Sequence, residues 1–380
     1  MRHPRHFEYL LLSAVLFFCS DAAADSITLR NGRSFDPGIE MTSRAEGAPE
    51  ALDILGTFRG QYDVDYQEVT TDGTGSSARC LAEVTYFNRG HGILEHLHCP
   101  ADAGLGHELN TLTYLVHNPS LEKWVRGHVD SYREAIEVAA GEFVGSRLVL
   151  HDARRRRGGP VLTFIRHSYV RRTDSWMEIT TEESIDGGES WQTRSARIMK
   201  RREPSATFLA NASGPGSFAA DLPAEARQFD FLIGRHEASN LLSLPDGESV
   251  SWKSNATAVH ALNGHAVLEF NWFDSDPNLP DAATTIVRIY NRAMRRWESL
   301  FLANRNHSVL HFGGRKEDNR MVLTLFEADA AALAIPRFVF HNIGDSRYEW
   351  YSESSLDRGK TYSKNWTIKV QPLGAQQEQD

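Results

Sequence analysis

Gly90-His91-Gly92-Ile93-Leu94-Glu95 returns as Gly264-His265-Ala266-Val267-Leu268-Glu269, 174 residues further along the chain. The correspondence spreads outward from this phrase. Thr111 to Leu150 aligns without a gap on Thr284 to Leu323, which brings Asn118 onto Asn291, Trp124 onto Trp297, Gly141 onto Gly314 and Arg147 onto Arg320. Asp174 to Trp191 aligns on Asp345 to Tyr362, with seven identities in 18 positions. The offset drifts from 174 through 173 to 171, as small loop insertions and deletions would make it. Two copies of one unit, each of about 150 residues, therefore fill most of the chain.

Within each copy the pattern is β. Tyr62-Asp63-Val64-Asp65-Tyr66, Leu162 to Arg166 and Arg320 to Leu325 are short β-branched or aromatic runs bounded by turn residues, and no long helical period interrupts them. Asn263-Gly264 predicts a two-residue hairpin turn, because both positions accept positive φ, and it aligns with Arg89-Gly90. Asp186-Gly187-Gly188 and Asp357-Arg358-Gly359 mark a second shared turn. Turn signals at roughly 8–12-residue spacing predict about eight to ten strands per copy. A meander of that length hides its edges best by closing on itself. The expected fold is all-β: two tandem antiparallel up-and-down barrels, with a pair of sandwiches as the alternative. A barrel of this size is either filled by side chains or holds one small ligand.

The expected boundaries are a signal peptide over 1–24, an arm over 25–47, a first barrel over 48–202, a linker over 203–222, a second barrel over 223–372 and a tail over 373–380. The linker is rich in Ala, Ser, Gly and Pro. Pro49-Glu50-Ala51 and Pro223 to Ala226 read as single helical turns, leading into the phrases Leu52 to Gly56 and Phe229 to Gly234.

Arg2 and Arg5, the apolar run Tyr9 to Phe18 and Ala22-Ala23-Ala24 have the order of a secretory signal, with cleavage after Ala24. The run falls short of the roughly 20 residues a spanning helix needs. No later stretch is apolar enough to insert, so the mature chain is expected to be exported, periplasmic or secreted. The net charge of -9 gives no basic surface for nucleic acid. Arg154 to Arg157 is the local exception and reads as a solvated hairpin loop, with anion binding as the other reading. Cys80 and Cys99 face each other when counted outward from Arg89-Gly90, and an exporting route would permit their disulfide. A two-residue turn places them at a hydrogen-bonded pair, with Cα atoms about 5.5 Å apart.

Four landmarks in order carry a family resemblance: Phe229-Asp230-Phe231-Leu232-Ile233-Gly234, the Asn-Gly-His phrase and its strand over 263–269, the Tyr-Asn to Trp hairpin over 290–297, and Asp-x-Gly-x-Thr-Tyr over 357–362. The second copy, and more faintly the first, resembles the bacterial lipocalin-like domains of unknown function of the 1579 type. That resemblance implies a calycin-like barrel with an apolar cavity and brings no established catalytic residues. The first copy departs from the pattern in its entry phrase and in Arg89.

Candidate chemistry begins with the repeated phrase. Strand alternation puts His91 with Glu95, and His265 with Glu269, on one face, about 13 Å apart along the strand. They serve as acid–base groups if that face lines a cavity; otherwise the histidine anchors a turn and the glutamate pairs with an arginine. His96-x-His98 resembles the start of a metal motif, but no third ligand follows at the required distance. Trp124 and Trp297 are candidate ligand walls or core residues. Arg166 and Arg337 are candidate carboxylate grips, or partners of Glu178/Glu182 and Glu349/Glu353 on the next strand. No serine elbow, phosphate loop, dinucleotide fingerprint or zinc helix is present, so neither cofactor nor metal is expected. The leading expectation is a protein binding a small apolar or amphipathic molecule. The alternatives are a cofactor-independent isomerase, cyclase, hydratase or lyase using the His–Glu groups, and a structural or interaction module.

Overall fold

The computed structural model describes residues 27–28, 34–35, 43–69, 74–155, 162–204, 218–244, 247–273, 282–326, 335–345, 347–357 and 359–373. The signal peptide, the tip of the Arg154–Arg157 loop, the centre of the linker and all but Leu373 of the tail lie outside these residues. The chain divides into two compact units, each built around one closed antiparallel barrel. A two-residue pairing of β1 (Ile27–Thr28) with β2 (Ser34–Phe35) precedes them.

The first barrel comprises β3 (Gly60–Val69), β4 (Gly75–Phe87), β5 (Gly92–Cys99), β6 (Leu109–Asn118), β7 (Lys123–Asp130), β8 (Ala135–Val144), β9 (Arg147–Arg155), β10 (Leu162–Thr173), β11 (Trp176–Ser184) and β12 (Gln192–Arg202). Each strand follows its neighbour, and β12 closes the ring on β3. The second comprises β13 (Gly234–Ser243), β14 (Ser249–Ala261), β15 (Ala266–Trp272), β16 (Ala283–Asn291), β17 (Arg296–Ala303), β18 (Ser308–Glu317), β19 (Arg320–Leu325), β20 (Ile335–Gly344), β21 (Arg347–Ser355) and β22 (Ser363–Pro372). It closes through β13 on β22. Both are ten-stranded antiparallel up-and-down barrels, set in tandem along the chain. Among the described residues no helix is long and apolar enough to cross a membrane.

Period-two alternation builds each wall. In β3, Tyr62, Val64 and Tyr66 are buried in the core while Asp63 and Asp65 face outward, where they pair with Arg202 and Lys200. The first helix forms at Leu52–Gly56, one turn later than the proline placed it, and sends Leu52 and Leu55 into the same core as Tyr62, Tyr86 and Trp124. In the second unit Ala224–Arg227 and Asp230–Leu232 are single 3-10 turns, with Phe229 and Leu232 packed beside Trp297.

The repeated hairpin differs from expectation. The last pairs are Phe87 with Gly92 and Ala261 with Ala266, so both loops contain four residues rather than two. Asn88, Arg89 and Gly90 have φ of 52°, 57° and 81°; Leu262, Asn263 and Gly264 have 52°, 55° and 90°. Three successive left-handed residues turn the chain, and the glycine is held because a Cβ on Gly90 would lie 2.6 Å from the Ala45 nitrogen. The longer loop also changes the parity of the rungs. Cys80 and Cys99 form the expected disulfide, but at a Cα separation of 4.3 Å, the spacing of a non-hydrogen-bonded pair.

Candidate functional site

The four-residue loop separates the histidine from the glutamate of the repeated phrase. His265 has helical backbone angles (φ -79°, ψ -19°) and lies outside β15; His91 stands in the equivalent turn before β5. Strand alternation does not extend to either. His265 lies 3.8 Å from Asp221, whereas Glu95 and Glu269 turn into their barrels, 3% and 5% exposed. Each glutamate is taken by an arginine: Arg197 of β12 donates to Glu95, and Arg288 of β16 donates to Glu269. The structure does not bring His91 to Glu95 or His265 to Glu269 as working pairs.

The other expected residues are also placed. Arg166 stands opposite Glu182 in the β10–β11 register and donates to it at 2.9 Å; Arg337 stands opposite Glu353 and donates to it. Their guanidinium groups lie over Trp191 and Tyr362, 4.2 and 3.5 Å from the ring centroids. His167 and Phe338, next in each strand, line the cavities, so Arg166 and Arg337 face outward by alternation. Trp124 and Trp297 are buried but line neither cavity. Trp124 packs edge-on against His117 and Phe143. Trp297 packs edge-on against Phe229 at 4.8 Å, and its indole N–H donates to Gln228. His96 bonds Asn110 at 2.6 Å and His98 bonds Glu108 at 2.8 Å. Among the described residues no cluster of three metal-ligating side chains forms.

Each barrel contains a cavity, and the two are lined differently. The cavity of the second barrel, about 60 Å³, is walled by Phe301, Phe338, Phe340, Trp350 and Trp366, with Arg288 and Glu269 also in its wall. Phe301 and Phe338 meet at 5.9 Å and Phe338 and Trp350 at 5.0 Å. The Arg288 guanidinium sits between aromatic faces, 5.1 Å from Phe229 and 5.5 Å from Phe340. Its Nε has no hydrogen-bond partner among the described residues. Burial, with Glu269 nearby, pushes the Tyr348 phenol well above its ordinary range, so it stays a neutral hydroxyl at this wall.

The cavity of the first barrel, about 70 Å³, is lined by Arg126, His128, His167, Thr181 and Arg197 among others. At the equivalent positions the second barrel has Ser299, Phe301, Phe338, Ser352 and Ile368. Two histidines in one barrel are thus replaced by a pair of phenylalanines in the other. Arg126 donates to the Tyr169 hydroxyl at 3.1 Å and lies 3.4 Å from His167 Nε2. His128 shares a 2.8 Å hydrogen bond with Thr113, and burial, reinforced by Arg126, holds its pKa well below the ordinary histidine range. Internal repetition could not reveal these side chains, because they are the positions at which the copies differ.

No protein-family model matches the chain, and no curated protein sequence does. Solved structures with similar folds include Rv2717c from M. tuberculosis, at 13% identity and a TM-score of 0.30, covering 41% of this chain and 99% of that one. An S-type phycobiliprotein lyase, CPES from Guillardia theta, is similar at 12% identity and 0.30, covering 42% and 97%. A protein of unknown function of the DUF3598 family from Nostoc punctiforme is similar at 8% identity and 0.25, covering 86% and 100%. Likeness at this level carries no functional argument, and the fold stands on the strand pairing itself.

Proposed function

We propose that the protein is an exported carrier holding a small apolar or amphipathic molecule in its second barrel. The observation that carries this reading is the aromatic cavity around Phe301, Phe338, Trp350 and Trp366, with Arg288 and Glu269 in its wall. Aromatic walls favour an apolar body, and the unpartnered Arg288 Nε offers a donor to a polar end. Export is supported by the signal-like order of residues 1–24 and by the Cys80–Cys99 disulfide. The order of the four sequence landmarks supports kinship with the 1579-type domains.

Native mass spectrometry of protein purified from its own host tests the carrier, together with uptake of the apolar dye N-phenyl-1-naphthylamine by emptied protein. A co-purifying small molecule and dye uptake are expected. Ala238→Leu, which adds bulk at the cavity wall, is expected to weaken uptake at least about tenfold. An empty chain that takes up neither the dye nor anything from a host extract would sink the proposal.

A further inference from the structure

The first barrel offers a separate site, independent of the one just described. We propose that its cavity binds a small neutral polyhydroxylated molecule, of the sugar or sugar-alcohol class, between arginine–carboxylate pairs.

Every arginine in the cavity wall already has a carboxylate. Arg197 donates to Glu95 and Arg194 to Glu183. Arg133 reaches Glu68 at 3.0 Å and Asp130 at 3.7 Å, and Arg126 has Glu137 at 3.8 Å. An anionic ligand binding these arginines would displace a wall carboxylate and leave it buried without its cation, which is strongly unfavourable. A cationic ligand would do the same to an arginine. A hydroxyl both donates and accepts, so it joins such a pair from the side without separating it.

Uncharged groups around the cavity point the same way. The Thr111 hydroxyl, on a residue 2% exposed, lies at the wall with no partner among the described residues. His128, His167 and Thr181 add groups that exchange hydrogen bonds without carrying a fixed charge. Burial beside Arg126 keeps His128 in its neutral form. Near the exposed side of the cavity, His107 and Tyr132 stack at 3.5 Å with their planes 14° apart, and Tyr132 is 54% exposed. That is a flat platform for the C–H face of a sugar ring. An apolar occupant would leave these polar groups unmatched. The space, about 70 Å³, holds roughly five waters, which a small polyol replaces with its own hydroxyls.

Saturation-transfer NMR and calorimetry on the whole mature chain test this, with erythritol and D-glucose as polyol probes, succinate as anionic probe and N-phenyl-1-naphthylamine as apolar probe. At least one polyol is expected to bind with a Kd below about 10 mM, and succinate more weakly. Thr111→Val, which removes the hydroxyl at constant shape, is expected to weaken polyol binding about fivefold. Arg126→Met is expected to weaken it at least about tenfold; should that variant not fold, Thr111→Val decides alone. Binding of succinate ahead of both polyols, no polyol binding in that range, or polyol binding unchanged in Thr111→Val overturns the assignment. Ala238→Leu separates the two sites: it impairs dye uptake by the second barrel and leaves polyol binding at its original strength, so either proposal can fail alone.

Discussion

Glu95 and Glu269 carry the charge of the repeated phrase into the interiors, and their energetics depend on the cation each one meets. A buried carboxylate paired to arginine contributes little net stability, but removing one partner strands the other charge. Glu269→Ala is therefore expected to cost about 3–5 kcal/mol, measured by urea unfolding. The double variant Glu269→Ala/Arg288→Met should recover a substantial part of that loss. If the single variant unfolds at the parent midpoint, Arg288 and Glu269 are not a buried pair. The glutamates were legible from repetition; their partners were not. Arg288 stands where the first copy has Leu115, and Arg197 where the second has Ile368, so neither arginine repeats. The histidines depart from expectation for a local reason: strand alternation does not reach His265, whose helical backbone lies outside the strand.

Among the elements, the hairpins show what the shared sequence encodes. Asn118 Oδ1 accepts from the backbone of Ser120 and Leu121, and Asn291 Oδ1 from that of Met294. Asp186 and Asp357 cap the second shared turn through Ser184 and Ser190, and through Ser355 and Thr361. Gly141 and Gly314 belong to the same class. A Cβ at either would lie 1.9 Å from the Val149 carbonyl oxygen or 1.7 Å from that of Val322. Gly314→Ala must push β18 from β19 and is expected to lose at least about 1–3 kcal/mol, whereas Gly47→Ala, with nothing within 4 Å, serves as the neutral control in the same melts. Equal midpoints for the two variants would refute the close approach. Strand pattern and turn chemistry were readable because both are local. Loop length was not, since Leu262 takes a positive φ that its residue type does not announce.

For the whole molecule, burial of neutral histidine predicts acid sensitivity. Burial lowers His96 to about 4 and holds His128 well below its ordinary range. Above about pH 6.5 both are neutral whether folded or unfolded, and they contribute no pH dependence. As the pH falls below that value, the unfolded chain binds protons that the folded one refuses, so stability declines toward pH 4 and beyond. Asp357, lowered to about 2 by hydrogen bonds from Thr361 and Ser355, adds a loss in the same direction at more acid pH. The urea midpoint is expected to fall between pH 7 and pH 5, before most carboxylates titrate, and His128→Gln should flatten that fall. A midpoint constant over this range would contradict the buried neutral state. The tandem barrels were legible from self-similarity and the content of their cavities was not, because a repeat displays what two halves retain. The reassignment of cations to one unchanged carboxylate bears on descent. Losing one arginine before the other is in place leaves a bare anion in the core, and holding both leaves a buried cation in excess, so either single step carries an uncompensated charge. Moving the cation from one strand to another is therefore an exchange that stability favours only when both substitutions come together.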